Sequence, residues 1–214
     1  MKDLLDKFRL GHNEFENGRL DGIEGINPYD LFELWMTEAV ETNEREANAF
    51  VLSTIDETNK PSSRIVYLKD IIENQFVLYT NYKSKKGRSI AANEKVSMLF
   101  FWPAVSRQIR IEGICTKVKE EISDAYFASR PRASQIGAWA SDQSQELKDR
   151  AELEQRVKEF DEKFTGEVPR PEHWGGFQIR PETFEFWQGR PSRLHDRIVF
   201  SVEDGHWNTS KLNP

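Results

Sequence analysis

The sequence predicts an α+β fold built on a barrel or strongly curled, mainly antiparallel sheet. Short apolar or alternating runs succeed one another closely over residues 49–118, a spacing that suits hairpins. Helical patterns then fill 120–164, and aromatic strand-like runs return from Phe177. The apolar content is rich in rings, with 14 Phe, 6 Trp and 5 Tyr, which suits strands that face an interface or a planar ligand.

Taken in order, residues 1–26 are polar and punctuated by glycine, and a mobile N-terminal arm is expected. Asn27-Pro28 then starts a helix running to about Thr42, with Asn27 as N-cap, Pro28 at the first helical position and Asp30 in the first turn. Leu31, Phe32, Trp35, Ala39 and Val40 fall on the face expected to cover the sheet. Strands are expected over Ala49–Ile55, Ser63–Lys69, Gln75–Asn81, Val96–Trp102 and Arg107–Val118, with a short helix over Ser84–Asn93. Ile109, Ile111 and Cys115 share one face of the fifth strand, which makes Cys115 a core residue. A helix over Glu120–Ser129 is closed by Arg130-Pro131-Arg132, a loop fills 133–143, and the longest helix spans Gln145–Phe164. After a proline-bearing linker, Gly166–Gly176, the last strands are Phe177–Arg180, Thr183–Trp187, Arg197–Val202 and a terminal segment at Trp207.

Composition bounds the function. A net charge of −6 disfavours a protein that coats nucleic acid, so anions must be met by local clusters. A single cysteine excludes an internal disulfide framework and fits a reducing compartment. No apolar run reaches membrane-spanning length and no leader pattern is evident, so a cytoplasmic protein is expected. No G-x-G-x-x-G, Walker loop or nucleophile elbow occurs. His12, His173, His195 and His206 lack metal-ligand spacing, and no metal site is expected.

Chemistry is instead carried by cations. The run Phe184–Phe200 places Arg190, Arg193, His195, Asp196 and Arg197 in a turn between two aromatic strands, where guanidinium forks could meet an anion and His195 could move a proton. Lys83, Lys85, Lys86 and Arg88 crowd a helix start, against the helix dipole unless an anion sits there. Tyr126, Arg130, Arg132 and Ser134 form a second phosphate-suited group. Arg64 and Lys69 lie five residues apart, so a strand end or bend is needed for both to face one site. Each group has a plainer reading as a solvated basic turn or helix end. Two such clusters together, with the arginine turn, point to two phosphorylated planar ligands.

These residues resemble the pyridoxine (pyridoxamine) 5′-phosphate oxidase family. The resemblance spans Asn27 to Pro214 and rests on R-I-V-Y-L-K at 64–69, Y-T-N at 79–81, S-R-P-R-A-S-Q-I-G-A-W at 129–139, W-G-G-F at 174–177, F-W-Q-G at 186–189 and R-L-H-D-R at 193–197. It implies a mainly antiparallel six-stranded-type split β-barrel with flanking helices, residues 27–214 forming a single FMN-binding domain in a homodimer with FMN at the interface. Arg64, Ile65, Val66, Tyr67, Leu68 and Lys69 would line the FMN. Tyr79, Thr80, Lys85, Lys86 and Gln108 would meet the flavin or its phosphate, and Gln143, Ser144, Trp187 and Arg197 would complete that site. Lys69, Tyr126, Arg130 and Ser134 would hold substrate phosphate. Arg193, Leu194 and His195 would bind the substrate, with Arg193 and His195 as the catalytic pair at the pyridine ring. The implied activity is FMN-dependent oxidation of pyridoxine or pyridoxamine 5′-phosphate by O2, giving pyridoxal 5′-phosphate and hydrogen peroxide. The alternatives are another split-barrel flavin-dependent reductase and a non-enzymatic flavin- or pyridoxal-phosphate-binding protein. Two departures stand out: Lys85-Lys86 replaces the Arg-Lys frequent in the family, and the arm reads His12-Asn13-Glu14-Phe15 where relatives can end an arginine-rich segment in Glu-Tyr.

Overall fold

The computed structural model describes residues 20, 22–23, 25–42 and 44–214, so most of the expected N-terminal arm lies outside the described residues. The chain forms two compact units, one of Met1–Ala47, Leu99–Ile111 and Thr183–Pro214, the other of Asn48–Met98 and Glu112–Glu182.

In the first unit, α1 (Pro28–Glu41) starts as its sequence dictates: the extended Asn27 accepts the Tyr29 N–H at 2.9 Å, and Pro28 opens the first turn. Leu31, Phe32, Trp35 and Ala39 are buried. Phe32 meets Phe100 edge-on at 5.2 Å and Trp35 meets Phe186 edge-on at 5.2 Å, so α1 does cover strand residues. Val40, expected on the same face, is 58% exposed. One residue beyond Ala39 is about 100° further round the helix, enough to carry it past the edge of the buried stripe. This unit also holds the aromatic hairpin that the end of β7 (Trp174–Gln188), from Thr183 on, makes with β8 (Asp196–Glu203), extended by β9 (His206–Leu212).

The second unit begins with β1 (Ala49–Ile55) and β2 (Pro61–Tyr67), paired antiparallel with Leu52 opposite Arg64. A short β3 (Asp70–Ile72), not anticipated, pairs with β4 (Gln75–Asn81). Then come α2 (Lys85–Ala92), β5 (Lys95–Trp102) and β6 (Arg107–Lys117), of which Leu99–Ile111 belongs to the first unit. Helices α3 (Glu120–Ser129), α4 (Arg132–Ala140) and α5 (Arg150–Lys163) precede β7. Hydrogen-bonded strand order is β2-β1-β5-β6-β7-β4-β3, with β8 on β7 and β9 on β8, giving nine strands in one sheet. The protein is thus α+β with a curled antiparallel sheet of the split-barrel kind. Cys115 is 2% exposed, and burial pushes its thiol up to about 12, which keeps it an inert core residue.

Three further elements differ from expectation. The loop over 133–143 is largely helix: Pro131 leads into α4, Ile136 and Ala140 are buried one turn apart, and the Gln135 side-chain amide donates to the Phe127 carbonyl at 2.9 Å. Gly137 costs only about 1 kcal/mol inside a helix, and tertiary packing outweighs that. The helix expected over Gln145–Phe164 starts later, at Arg150, because Asp149 is the true N-cap and accepts the Glu152 N–H at 2.9 Å. It has 14 residues, the same as α1, and the two are the joint longest helices among the described residues. The strands expected on either side of Pro181 are one continuous 15-residue strand. There β6 runs so close that a Cβ on Gly113 would lie 2.2 Å from the Arg180 carbonyl oxygen.

Candidate functional site

The second unit carries a cavity of about 580 Å³ whose lining includes Lys69, Tyr79, Thr80, Tyr126, Arg130, Ser134, Gln143 and Trp174. Seven of the residues expected around the ligands thus meet there, with Trp174, from distant parts of the chain. Among the described residues no Asp or Glu lines it.

Strand ends and helix starts build this cavity. The strand before Lys69 ends at Tyr67, so Lys69 escapes the alternation that would have turned it away from the face of Arg64. Its backbone N–H donates to the Val77 carbonyl at 2.9 Å, which fixes Lys69 beside β4. Tyr79 stacks on Tyr126 at 3.7 Å with an interplanar angle of 7°, and burial pushes its phenol up to about 12, so Tyr79 stays neutral. The Arg130 guanidinium lies 4.4 Å over the Trp174 ring. Its buried Nη1 has no hydrogen-bond partner among the described residues, and burial lowers its pKa. A half-buried cation with an unspent donor, beside a lysine and two hydroxyls, is suited to an anion with several oxygens.

The basic helix start forms the other half. Ser84 caps α2 by accepting the Gly87 N–H at 3.3 Å. Lys86 Nζ donates to Thr80 Oγ1 at 3.1 Å and to Gln143 Oε1 at 2.8 Å. Burial, and then the Arg64 charge, push Lys86 down to about 8. No carboxylate pairs with Lys86 among the described residues, so its neighbours satisfy hydrogen bonds but leave its charge uncompensated. Lys85 is exposed. Gln143 and Ser144 precede the α5 N-cap, Asp149, and Gln143 turns to Lys86.

Other expected residues have structural partners. Arg64 donates to the Leu52 carbonyl at 3.0 Å and to Thr54 Oγ1 at 2.9 Å, binding β2 to β1. Along the same strand Ile65 and Tyr67 are 67% and 39% exposed, Val66 is half-buried and Leu68 is buried. Arg132 is not part of the phosphate group: it pairs with Asp161 at 2.9 Å and donates to the Gly166 carbonyl at 2.8 Å, tying α4 to α5. Trp174 belongs to the W-G-G-F motif and carries no expected role of its own, although a Cβ on Gly176 would lie 2.7 Å from Val118 and 2.9 Å from Tyr79, so backbone and ring close tightly there.

The remaining candidates lie in the first unit. Gln108 is half-buried on β6. Arg197 pairs with Glu185 at 2.8 Å and donates to the Asn213 carbonyl at 3.0 Å. The hairpin turn expected around Arg193 exists, as a single 3-10 turn over Pro191–Arg193 in which Ser192 and Arg193 take φ of 58° and 61°, unusual for residues with a Cβ. His195 Nδ1 accepts the Arg190 N–H at 3.1 Å, and the ring lies 4.5 Å from that of Trp187. That bond leaves Nε2 to carry the proton of the neutral ring. Burial, and then Arg193, lower the His195 pKa against the opposing effect of Asp196. Leu194 is 68% exposed.

Residues 36–164 match the family model described as pyridoxamine 5′-phosphate oxidase. The chain belongs to this family. Residues 174–214 match a second model, the pyridoxine 5′-phosphate oxidase C-terminal dimerisation region, which supports a homodimer. A pyridoxine/pyridoxamine 5′-phosphate oxidase of Cytophaga hutchinsonii is 52% identical over 191 residues, covering 88% of this chain and 89% of the relative. One from Paraburkholderia xenovorans is 49% identical over 200 residues, covering 92% and 94%. Among solved structures, PhzG from Burkholderia lata 383, in complex with tetrahydrophenazine-1-carboxylic acid, is 27% identical with a TM-score of 0.87, over 94% of this chain and all of that one. A pyridoxamine 5′-phosphate oxidase-related, FMN-binding protein of Nostoc punctiforme has a TM-score of 0.71 over 89% of this chain and all of that one. At 15% identity this second likeness shows the shared fold alone. No helix among the described residues is long and apolar enough to cross a membrane.

Proposed function

We propose that this family member is a pyridoxine/pyridoxamine 5′-phosphate oxidase that uses FMN and O2 and yields pyridoxal 5′-phosphate and hydrogen peroxide. The observation that carries this reading is a cavity in which Lys69, Tyr126, Arg130 and Ser134 converge, with no acid and no partner for a buried arginine nitrogen among the described residues. Donors of this kind suit a phosphate dianion.

The residues present also fit FMN. Lys86, with Thr80 and Gln143, offers an uncompensated cation at the capped end of α2, suited to the phosphate of that cofactor. Bound there, FMN would supply the redox chemistry that takes a hydride equivalent from the substrate to O2. The protein holds and orients. Lys69, Arg130, Tyr126 and Ser134 anchor the substrate phosphate and so limit how the heterocycle can lie. Arg193 fixes the ring and stabilises charge that develops on it, while Leu194 and His195 contact the substrate and His195 orients it. Residues 27–214 act as one flavin-binding domain, since β5, β6 and β7 each run unbroken along the chain from one unit into the other. The active species is a homodimer with FMN at its interface, in the cytoplasm.

The likeness to PhzG supports a second reading, a related oxidase acting on an aromatic carboxylate. Oxygen uptake and peroxide release by purified protein, with and without added FMN, decide between them. FMN-dependent uptake with pyridoxine or pyridoxamine 5′-phosphate is expected. Flavin binding without uptake on either phosphate would overturn the proposal.

A further inference from the structure

Gln188 ends β7 at the foot of the turn that carries Arg193 and His195, and it is 1% exposed. A buried primary amide is costly unless its groups are met, and here both are. Its Oε1 accepts from Arg107 Nε at 2.8 Å, and its Nε2 donates to the carbonyls of Val105 and Ser106 at 3.2 Å each. The next residue continues the attachment, since the Gly189 N–H donates to the Ser106 carbonyl at 2.8 Å. Arg107 is itself held, by an ion pair to Glu38 on α1 and by stacking 4.4 Å over the Trp35 ring. The chain then leaves this foot, and the Arg190 N–H donates to His195 Nδ1. Between these points the backbone takes positive φ at Ser192 and Arg193, a conformation that persists only when its surroundings hold it.

We infer that Gln188 is a positioning residue: its amide locks the base of the 189–195 turn to the 105–107 segment, and so sets the orientation of Arg193 and the tautomer of His195. Gln188 touches no reacting atom in this account. The inference rests on the proposed function only in supposing that Arg193 and His195 face the substrate, and one arm of its test needs no substrate.

That arm compares full-length wild type with Gln188→Met, which keeps the side-chain length and removes the amide. Imidazole 15N NMR of wild type is expected to show His195 with Nδ1 unprotonated and a pKa below that of a free histidine. In Gln188→Met the two ring nitrogens should become averaged and the pKa should move up towards the ordinary value. An unchanged His195 spectrum in a folded Gln188→Met protein overturns the inference. Gln188→Glu, which retains an acceptor for Arg107 and loses the donor, covers the case in which the methionine variant does not fold. It should give the same spectral change.

The second arm is a double-mutant cycle on FMN-loaded enzyme. Gln188→Met should lower kcat at least tenfold with little change in KM and none in FMN content. Adding it to Arg193→Ala should lower kcat less than twofold further, because the two act through one turn. Fully additive losses overturn the inference. Absence of any oxidation by wild type would instead sink the functional reading and leave the NMR arm to decide the role of Gln188.

Discussion

Lys86 Nζ donates to Gln143 Oε1 at 2.8 Å, joining the first turn of α2 to the segment after α4 across 57 residues of sequence. An amide rather than a carboxylate meets the ammonium, so the hydrogen bond is satisfied while the charge stays available to an outside anion.

This arrangement sets a pH dependence. Lys86 titrates at about 8 in the fold against 10.5 when free. Between those values the unfolded chain binds more protons, so Lys86 makes the ligand-free protein more stable as pH rises, and below about 8 it adds no slope. Anion binding runs the other way, because the neutral amine loses its attraction. FMN affinity, followed by fluorescence quenching, is expected to fall roughly tenfold or more between pH 7 and pH 9.5, in line with a charge-assisted bond of about 1.5–3 kcal/mol. Lys86→Met should bind FMN more weakly at pH 7 and lose most of this dependence.

Arg130 and Lys69 should separate in their effects. Arg130→Ala removes the guanidinium with the unspent nitrogen, and kcat/KM for pyridoxine 5′-phosphate should fall by roughly tenfold to a hundredfold. Lys69→Ala should cost a similar factor and also lower the flavin content of the purified protein, measured by visible absorbance. Wild-type kcat/KM in Arg130→Ala would remove Arg130 from the substrate site.

Arg193→Ala is expected to keep its flavin and lose turnover. Steady-state rates normalised to bound FMN test this. A variant that loses flavin, yet retains normal activity per flavin bound, would assign Arg193 to the cofactor.

Gly113→Ala tests the packing that lets β7 run past Pro181. The new Cβ would fall 2.2 Å from the Arg180 carbonyl oxygen, and backbone on a central strand cannot step aside cheaply. A loss of about 1–3 kcal/mol in urea unfolding is expected, with an unchanged slope. A Cβ on Gly137 meets nothing within 4 Å, so Gly137→Ala should be neutral or stabilising.

Local signals proved reliable where the physics is local. Asn27-Pro28 announced α1, and Ser84 and Asn93 bounded α2, because caps and turns depend on a few adjacent residues. The reading failed where a distant partner decides. Gly137 and Pro181 look like breaks, but the helix at 132–140 is held by Phe127 and the strand at 174–188 by the approach of Gly113. Arg132 resembles Arg130 in sequence, yet Asp161 occupies it. Trp174 and Gln188 carried no chemical signature of their own, and their places at the pocket wall and under the hairpin turn follow from partners far along the chain.

Periodicity, capping residues and the cation-rich motifs were enough to establish the α+β class, most element boundaries and the family to which the chain belongs. The partners each cation meets came only with folding: Arg64, Arg132 and Arg197 contact protein oxygens, whereas among the described residues Lys86 lacks a counter-charge and Arg130 retains a buried nitrogen without a bond. The reason is that a guanidinium or ammonium carries the same charge anywhere in a sequence, but its affinity for a ligand depends on the oxygens that packing brings within about 3 Å.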